Sequence, residues 1–493
     1  MSAYDELMAF QRQTEALGQV AGRLGWDQET VMPRGAAAQR SEEVGALHAV
    51  LHARRTDPRV AAWLDAVEGE TLDQVGEAQV RHIRRGYDRA VRVPADLAAA
   101  LARRTALSQG EWAAAREAGD FAAFAPVLAE VVALKREEGA ALADGGDIYD
   151  ALLDDYEPGA VAADLEAMFS ALRPGLVDLR EAALAHASAA PTVTGVFDPQ
   201  SQMKLARQLA KVAGYDMTRG RLDKAVHPFS SGSGSDVRIT TRTSDTDPFN
   251  CLYSTLHEVG HATYEQAIDP AYALTPLGAG VSMGVHESQS RIVENQLGRS
   301  RAFTGWLYTQ MQQVFGDFGI DSADAFYAAV NALHRGFIRT EADEVQYNLH
   351  VLLRFDLERA LVSGDLAASD LETAWNDRFK ADFGYDVPDA AQGCLQDVHW
   401  SVGLFGYFPT YSLGNVYSGC LHSALRQAVP DLDDHLAVGD MSHASAWLRE
   451  NVQQHGGLYT PRELITRACG FEPTEAPLMA YLQEKFGALY PEG

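Results

Sequence analysis

The chain has 493 residues, of which 46% are apolar, so it can bury a substantial core in one large domain or two to three ordinary ones, which argues against global disorder. Its 68 Asp and Glu against 41 Lys and Arg give a formal net charge of -27 and a pI near 4.9. Such a polyanion repels nucleic acid and anionic membrane surfaces, so neither is an expected partner. The lysines are confined to Lys135, Lys204, Lys211, Lys224, Lys380 and Lys485, and Arg supplies the remaining cations. Dense surface carboxylates hold hydration and suit a salt-rich cytoplasm; an ordinary acidic cytosolic protein is the competing interpretation. Four scattered cysteines, Cys251, Cys394, Cys420 and Cys469, fit neither a C-x-x-C metal knuckle nor a disulfide scaffold. The opening residues show no basic stretch followed by an apolar one, and no apolar run approaches the roughly 20 residues that span a bilayer. A cytoplasmic location is the expectation.

Along the chain, apolar residues recur at three- and four-residue spacing from the start to about residue 190, as in 97–118 and 122–143, and predict an almost wholly helical half. Turn signals fall at Pro33-Arg34-Gly35, Asp144-Gly145-Gly146-Asp147 and Glu157-Pro158-Gly159. Between 192 and 250 the texture changes, and residues 192–197 and 237–242 read as short strands. The run Ser230 to Ser235 between them reads as a flexible surface turn, or as a hinge beside a cleft. Helical periodicity returns from Phe249, broken by Gly/Pro-rich stretches at 276–284 and 402–416. The predicted fold is mainly α, a large helical body with one small β-sheet.

Within the returning helix lies His257-Glu258-Val259-Gly260-His261. On a helix, residues four apart share a face, so the two imidazoles can meet one cation, while Glu258 is rotated about 100° away. From there it can take a proton from a water on that cation, the general-base role of this pattern. A catalytic zinc needs a third ligand, and Glu287, early in an amphipathic helix reaching about Leu297, is the best candidate once the Gly-rich 276–284 connection folds it back. Glu294, two turns later, is the competing ligand or an acceptor for a zinc histidine. His286 is either a substrate contact or a packed histidine. Two His and one Glu favour zinc, with cobalt or manganese as acceptable substitutes.

These residues belong to a longer series: Trp26-Asp27-Gln28-Glu29-Thr30 with Met32-Pro33, His227-Pro228-Phe229, Asp236 to Thr240, His286-Glu287-Ser288, Ile338 to Glu344, and Gly393 to Trp400. Over nearly its whole length the chain resembles the carboxypeptidase Taq family of helical zinc metallocarboxypeptidases. The resemblance implies a zincin-type, neurolysin-like helical body with a deep cleft, removal of single C-terminal residues from peptides with broad tolerance, and a homodimer. It further implies one peptidase domain over 1–493, its residues 1–190 covering the cleft and 191–493 carrying the chemistry. Arg339 is then expected to grip the substrate carboxylate in a bidentate fork, with an internal ion pair to Asp343 or Glu344 as the alternative. Gln396 and His399 are expected to close the end of the cleft, and Asp397 and Trp400 to hold that loop. By similarity to related helical zinc peptidases, Tyr411, or else Tyr407, donates to the tetrahedral oxyanion. His227 is expected to bond the substrate backbone, and Asp236 and Arg238 to pair within the sheet, whose edge could add an extended substrate strand. An oligopeptidase or dipeptidyl carboxypeptidase with the same motif helix, and an inert scaffold on the same fold, are the rival functions.

Overall fold

The computed structural model describes residues 2–187 and 190–491; residues 188 and 189, at the end of the expected helical half, lie outside it. That half folds as helices Ala3–Thr30, Ala37–Arg55, Pro58–Val67, Gln74–Arg92, Ala95–Ala118, Phe121–Ala143, Ile148–Leu153 and Ala162–His186. Their starts follow from capping: Asp57, Asp73, Asp120 and Asp147 each accept a first-turn backbone N–H. The expected turns separate them, and Asp144 adopts a left-handed conformation (φ 50°) to end the sixth.

Two hydrophobic clusters organise the body. Leu7, Phe10, Val60, Leu64 and Ile83 bury a small one among the first helices. The larger joins Phe124, Leu128 and Phe169 to Leu252, Leu353, Phe405 and Leu482, so both halves of the chain share one core. No helix among the described residues is long and apolar enough to cross a membrane.

Among the described residues the sheet has three strands, β1 (Leu222–Lys224), β2 (Ser230–Ser233) and β3 (Asp236–Thr241), in the order β1-β3-β2. β1 runs parallel to β3, and β2 runs antiparallel to it. The strand expected at 237–242 is therefore the central one, with Val237 and Ile239 fully buried. The Gly/Ser run is not a floppy turn: most of it is β2, and only Gly234 and Ser235 form the hairpin loop. Gly232 (φ 98°) is required there, because a Cβ would lie 2.0 Å from the Asp236 carbonyl oxygen. The other expected strand, 192–197, is irregular. Its backbone is spent on two separate loops, Thr194 N–H donating to the Phe318 carbonyl (2.8 Å) and Phe197 N–H to Asp245 (2.9 Å), and Gly195 (φ 118°) breaks the extension.

The first helix is tied to this sheet. Arg238 pairs with Asp236 (2.8 Å), which also binds Arg23 (2.8 Å), and the Arg238 guanidinium lies 4.4 Å from the Trp26 ring. Trp26 thus serves the sheet rather than the cleft.

Candidate metal centre and cleft

The motif helix, Pro248–Ala267, starts where Asp247 caps the Phe249 N–H and Pro248 sets the first turn. A second helix, Met283–Arg291, starts where Ser282 Oγ accepts from Val285 N–H (3.0 Å). The two cross at Gly260, where a Cβ would stand 2.3 Å from the Gln289 carbonyl oxygen. On the far side Gly414, in helix Pro409–Ala428, leaves room for Glu287, whose Cβ would be 2.6 Å from any added methyl. Small residues on both sides thus let Glu287 reach the two histidines.

The result is a compact donor set in which the ligand atoms of His257, His261 and Glu287 all lie within 4.8 Å of one another. Glu287 Oε2 is 3.7 Å from His257 Nε2 and 3.5 Å from His261 Nε2. The edge of a tetrahedron with bonds of 2.0–2.1 Å is roughly 3.3–3.4 Å, so a divalent ion fits with small side-chain adjustment.

The remaining ring nitrogens fix the tautomers. His257 Nδ1 meets Glu294 Oε2 at 2.9 Å, the arrangement of a carboxylate behind a ligand rather than of a ligand. His261 Nδ1 lies 2.6 Å from His286 Nδ1, whose Nε2 lies 2.9 Å from Glu265 Oε1. If His261 Nδ1–H donates to His286 and His286 Nε2–H donates to Glu265, every bond has one hydrogen and His261 Nε2 keeps its lone pair for a cation. His286 is thus the packed histidine of the two alternatives, held between His261 and Glu265 with its ring against Tyr264 (5.2 Å between centroids). Beyond Arg291 the helix widens into a π-turn, Ile292–Leu297, which carries Glu294.

Glu258 is 6% exposed, and burial, joined by the charges of Glu287 and Glu294 and opposed by His257, pushes its carboxyl up to about 7. An acid so poised can exchange protons near neutrality.

A cavity of about 620 Å³ opens on this set, lined by His257, Glu287, Arg291, Arg339, Tyr347 and Tyr411 among others. Among the described residues, those lining it run from Pro228 to Phe486. Arg339 is 5% exposed and is paired, though with neither expected partner. Its Nη2 and Nε donate to Asp397 Oδ1 (2.8 and 3.2 Å) and its Nη1 to the Tyr347 hydroxyl (3.1 Å), leaving one N–H on each Nη. Asp343 instead caps helix Glu344–Ser363, accepting from Val345 and Gln346 (3.0 Å each), and Glu344 pairs with Lys485. Asp397 is shared with Arg354, a pairing of Nε and Oδ2 at 2.7 Å.

Gln396 faces the backbone rather than the cavity: its Oε1 accepts from Arg339 N–H (2.8 Å), and its amide donates to Phe337, Gln392 and Gly393 carbonyls. His399 Nε2 lies 3.3 Å from the Tyr411 hydroxyl, and burial takes the ring down to about 4, so it is neutral. Tyr407 packs edge-on against Tyr411 (5.3 Å between centroids) but, unlike Tyr411, does not line the cavity. His227 is exposed, and its neighbour Pro228 reaches the cavity wall.

A family model described as carboxypeptidase Taq (M32) metallopeptidase matches residues 6–486. The chain belongs to this family. It is 40% identical to thermostable carboxypeptidase 1 of Thermus thermophilus, over 99% of each chain. Its fold matches the crystal structure of an M32 carboxypeptidase from Deinococcus radiodurans R1 at a TM-score of 0.96 and 38% identity, covering 99% of this chain and 100% of that one. It also matches Trypanosoma cruzi metallocarboxypeptidase 1 at a TM-score of 0.95 and 33% identity, covering 99% of both chains. The protein is a metallocarboxypeptidase of mainly α fold, acting on peptides with a divalent ion.

Several residues of this metallocarboxypeptidase centre escape a reading of the sequence. Arg291 Nε donates to Glu287 Oε1 (2.6 Å) and its guanidinium lies 4.3 Å from the Tyr347 ring centre, leaving Oε2 to face the imidazoles. The i, i+4 spacing of Glu287 and Arg291 was the available signal. Burial alone would raise the Glu287 carboxyl, but Arg291 and then His257 hold it well below the usual carboxylate range. Glu157, from the N-terminal half, accepts from Gly284 N–H (2.9 Å) and Tyr417 (3.2 Å) and so pins the start of the second helix. Glu358 accepts from Trp400 Nε1 (2.7 Å), Gly406 N–H (2.6 Å) and Tyr149 (2.8 Å), fixing the segment that carries His399 and Tyr407.

Metal binding should release a proton. Burial lowers the His257 ring, but Glu287 and then Glu294 bring it up to about 9, so it is protonated at neutral pH and would have to become neutral to act as a candidate ligand. Apparent affinity should therefore rise up to about tenfold per pH unit from neutrality toward 9 and then level. Calorimetry in two buffers of different ionisation enthalpy checks this; equal heats in both would contradict it.

Proposed function

We propose that this metallocarboxypeptidase is a zinc enzyme that removes single residues from the free C-terminus of peptides with broad tolerance. The observation that carries the proposal is the His257–His261–Glu287 donor set facing a cavity whose wall also presents Arg339 and Tyr411. His257, His261 and Glu287 would hold the ion, and cobalt or manganese could substitute in the same nitrogen and oxygen set. When bound there, such an ion would supply Lewis-acid polarisation of the scissile carbonyl and lower the pKa of its water.

Glu258 takes the proton of the attacking water and returns it to the departing amine. Tyr411 donates to the developing oxyanion, with its hydroxyl held by His399 and its ring packed by Tyr407. The two unused Arg339 N–H groups receive the substrate carboxylate, while Asp397 and Tyr347 hold the guanidinium plane still. Gln396 positions the Arg339 backbone, and His227 meets the substrate backbone at the rim. The acidic chain works in the cytoplasm as a homodimer on this reading, its low pI keeping it soluble.

Matched peptides ending in a free carboxylate or an amide separate the exopeptidase from an oligopeptidase. Amidation removes one partner of a buried ion pair and should lower kcat/KM about 30-fold or more, equivalent to at least ~2 kcal/mol. Equal turnover of both peptides, or internal cleavage, would favour the oligopeptidase.

A further inference from the structure

Away from the cleft, helices Leu432–Ala437 and Ser442–Asn451 are joined by a tight loop. Their inner faces are fully packed through Leu432, Leu436, Met441 and Ala444. Gly439 (φ 75°) lies so close to Trp306 that a Cβ would be 2.3 Å from its ring, and Asp440 N–H donates to the His435 carbonyl at 3.0 Å. The backbone of the loop is therefore fixed. On its outer side it presents His435, Asp440 and His443, whose ligand atoms all lie within 4.8 Å of one another.

We propose that His435, Asp440 and His443 form a second, non-catalytic divalent-metal site that staples these two helices together. His435 Nδ1 is 3.9 Å from Asp440 Oδ2, and the His435 and His443 rings stack with centroids 3.8 Å apart. Asp440 Oδ1 is committed to Ser442 N–H (2.8 Å), which leaves Oδ2 facing the histidine. His435 Nε2 lies 3.3 Å from Asp431 Oδ2, so its outer nitrogen can donate to a carboxylate while Nδ1 ligates. The same device stands behind His257, where Glu294 is the acceptor. Stacked rings do not point two lone pairs at one ion, so reaching bonds of about 2.0–2.1 Å requires rotation of the exposed His443 and the half-buried His435 and Asp440 side chains. Two imidazoles and one carboxylate select zinc, cobalt, nickel or copper over calcium or magnesium, and water completes the shell. None of these residues lines the cleft cavity.

Equilibrium dialysis of the whole chain against zinc, with bound metal counted, tests the site. Wild type should hold two ions per chain, and both His435→Ala/His443→Ala and the milder His443→Gln should lose one while peptide turnover is unchanged. A His257→Ala/His261→Ala control should lose the other ion. A surface variant that retains the wild-type count overturns the proposal and leaves His435 as a surface side chain between Asp431 and Asp440. A control that retains the wild-type count while the surface variants lose an ion would instead remove the catalytic assignment and leave this site standing.

Discussion

Glu258→Gln is expected to keep its metal and fold but lose about 10²–10⁴-fold in kcat, the range associated with a positioned general base. The substitution preserves shape and removes the titrating group. Among the described residues Glu258 has no hydrogen-bond partner, and its carboxyl is brought up to about 7 by burial, with further contributions from Glu287 and Glu294 against His257. A structural carboxylate buried this deeply would be paired. The proposed ligands, His257, His261 and Glu287, are other side chains, so bound metal should be unaffected. Kinetics and metal content measured on one preparation check this, and turnover within tenfold of wild type would remove Glu258 from the mechanism.

Gly260→Ala is expected to cost about 1–3 kcal/mol of stability and about 10- to 100-fold in metal affinity. The new methyl would sit 2.3 Å from the Gln289 carbonyl oxygen and 2.5 Å from Ser290 Cα, both backbone atoms that cannot rotate aside. The two helices must separate, and Glu287, three residues before Ser290, must move away from His257 and His261. Gly305→Ala is the matched control, since a Cβ at Gly305 in helix Arg301–Phe315 meets nothing within 4 Å. That control should be neutral or stabilising by up to about 1 kcal/mol through helix propensity. Thermal midpoints and metal dissociation constants for both variants separate the effects; equal behaviour would show that the crossing does not need glycine.

The centre was legible where its information is local. The i, i+4 spacing of His257 and His261 places both on one face, and Glu287 follows after a connection able to fold back. The helical half was equally readable, because its apolar periodicity and its caps agree.

What the sequence hid was non-local. Arg339 meets Asp397, 58 residues away, whereas the nearby Asp343 and Glu344 turned out to cap a helix and bind Lys485. Glu157 and Glu358 look like ordinary surface acids until the fold buries them against Gly284 and Trp400. β1 and β2 are too short and polar to show a strand pattern, and 192–197, rich in β-branched residues, spends its hydrogen bonds on loops instead.

The cleft is expected to remove C-terminal residues only with metal bound. Mass spectrometry of an unblocked peptide incubated with the enzyme, then with chelator, then with zinc restored, tests it most directly. The expected result is a ladder of products shortened one residue at a time from the C-terminus, abolished by the chelator and recovered with metal. Internal fragments, or a ladder indifferent to the chelator, would contradict it.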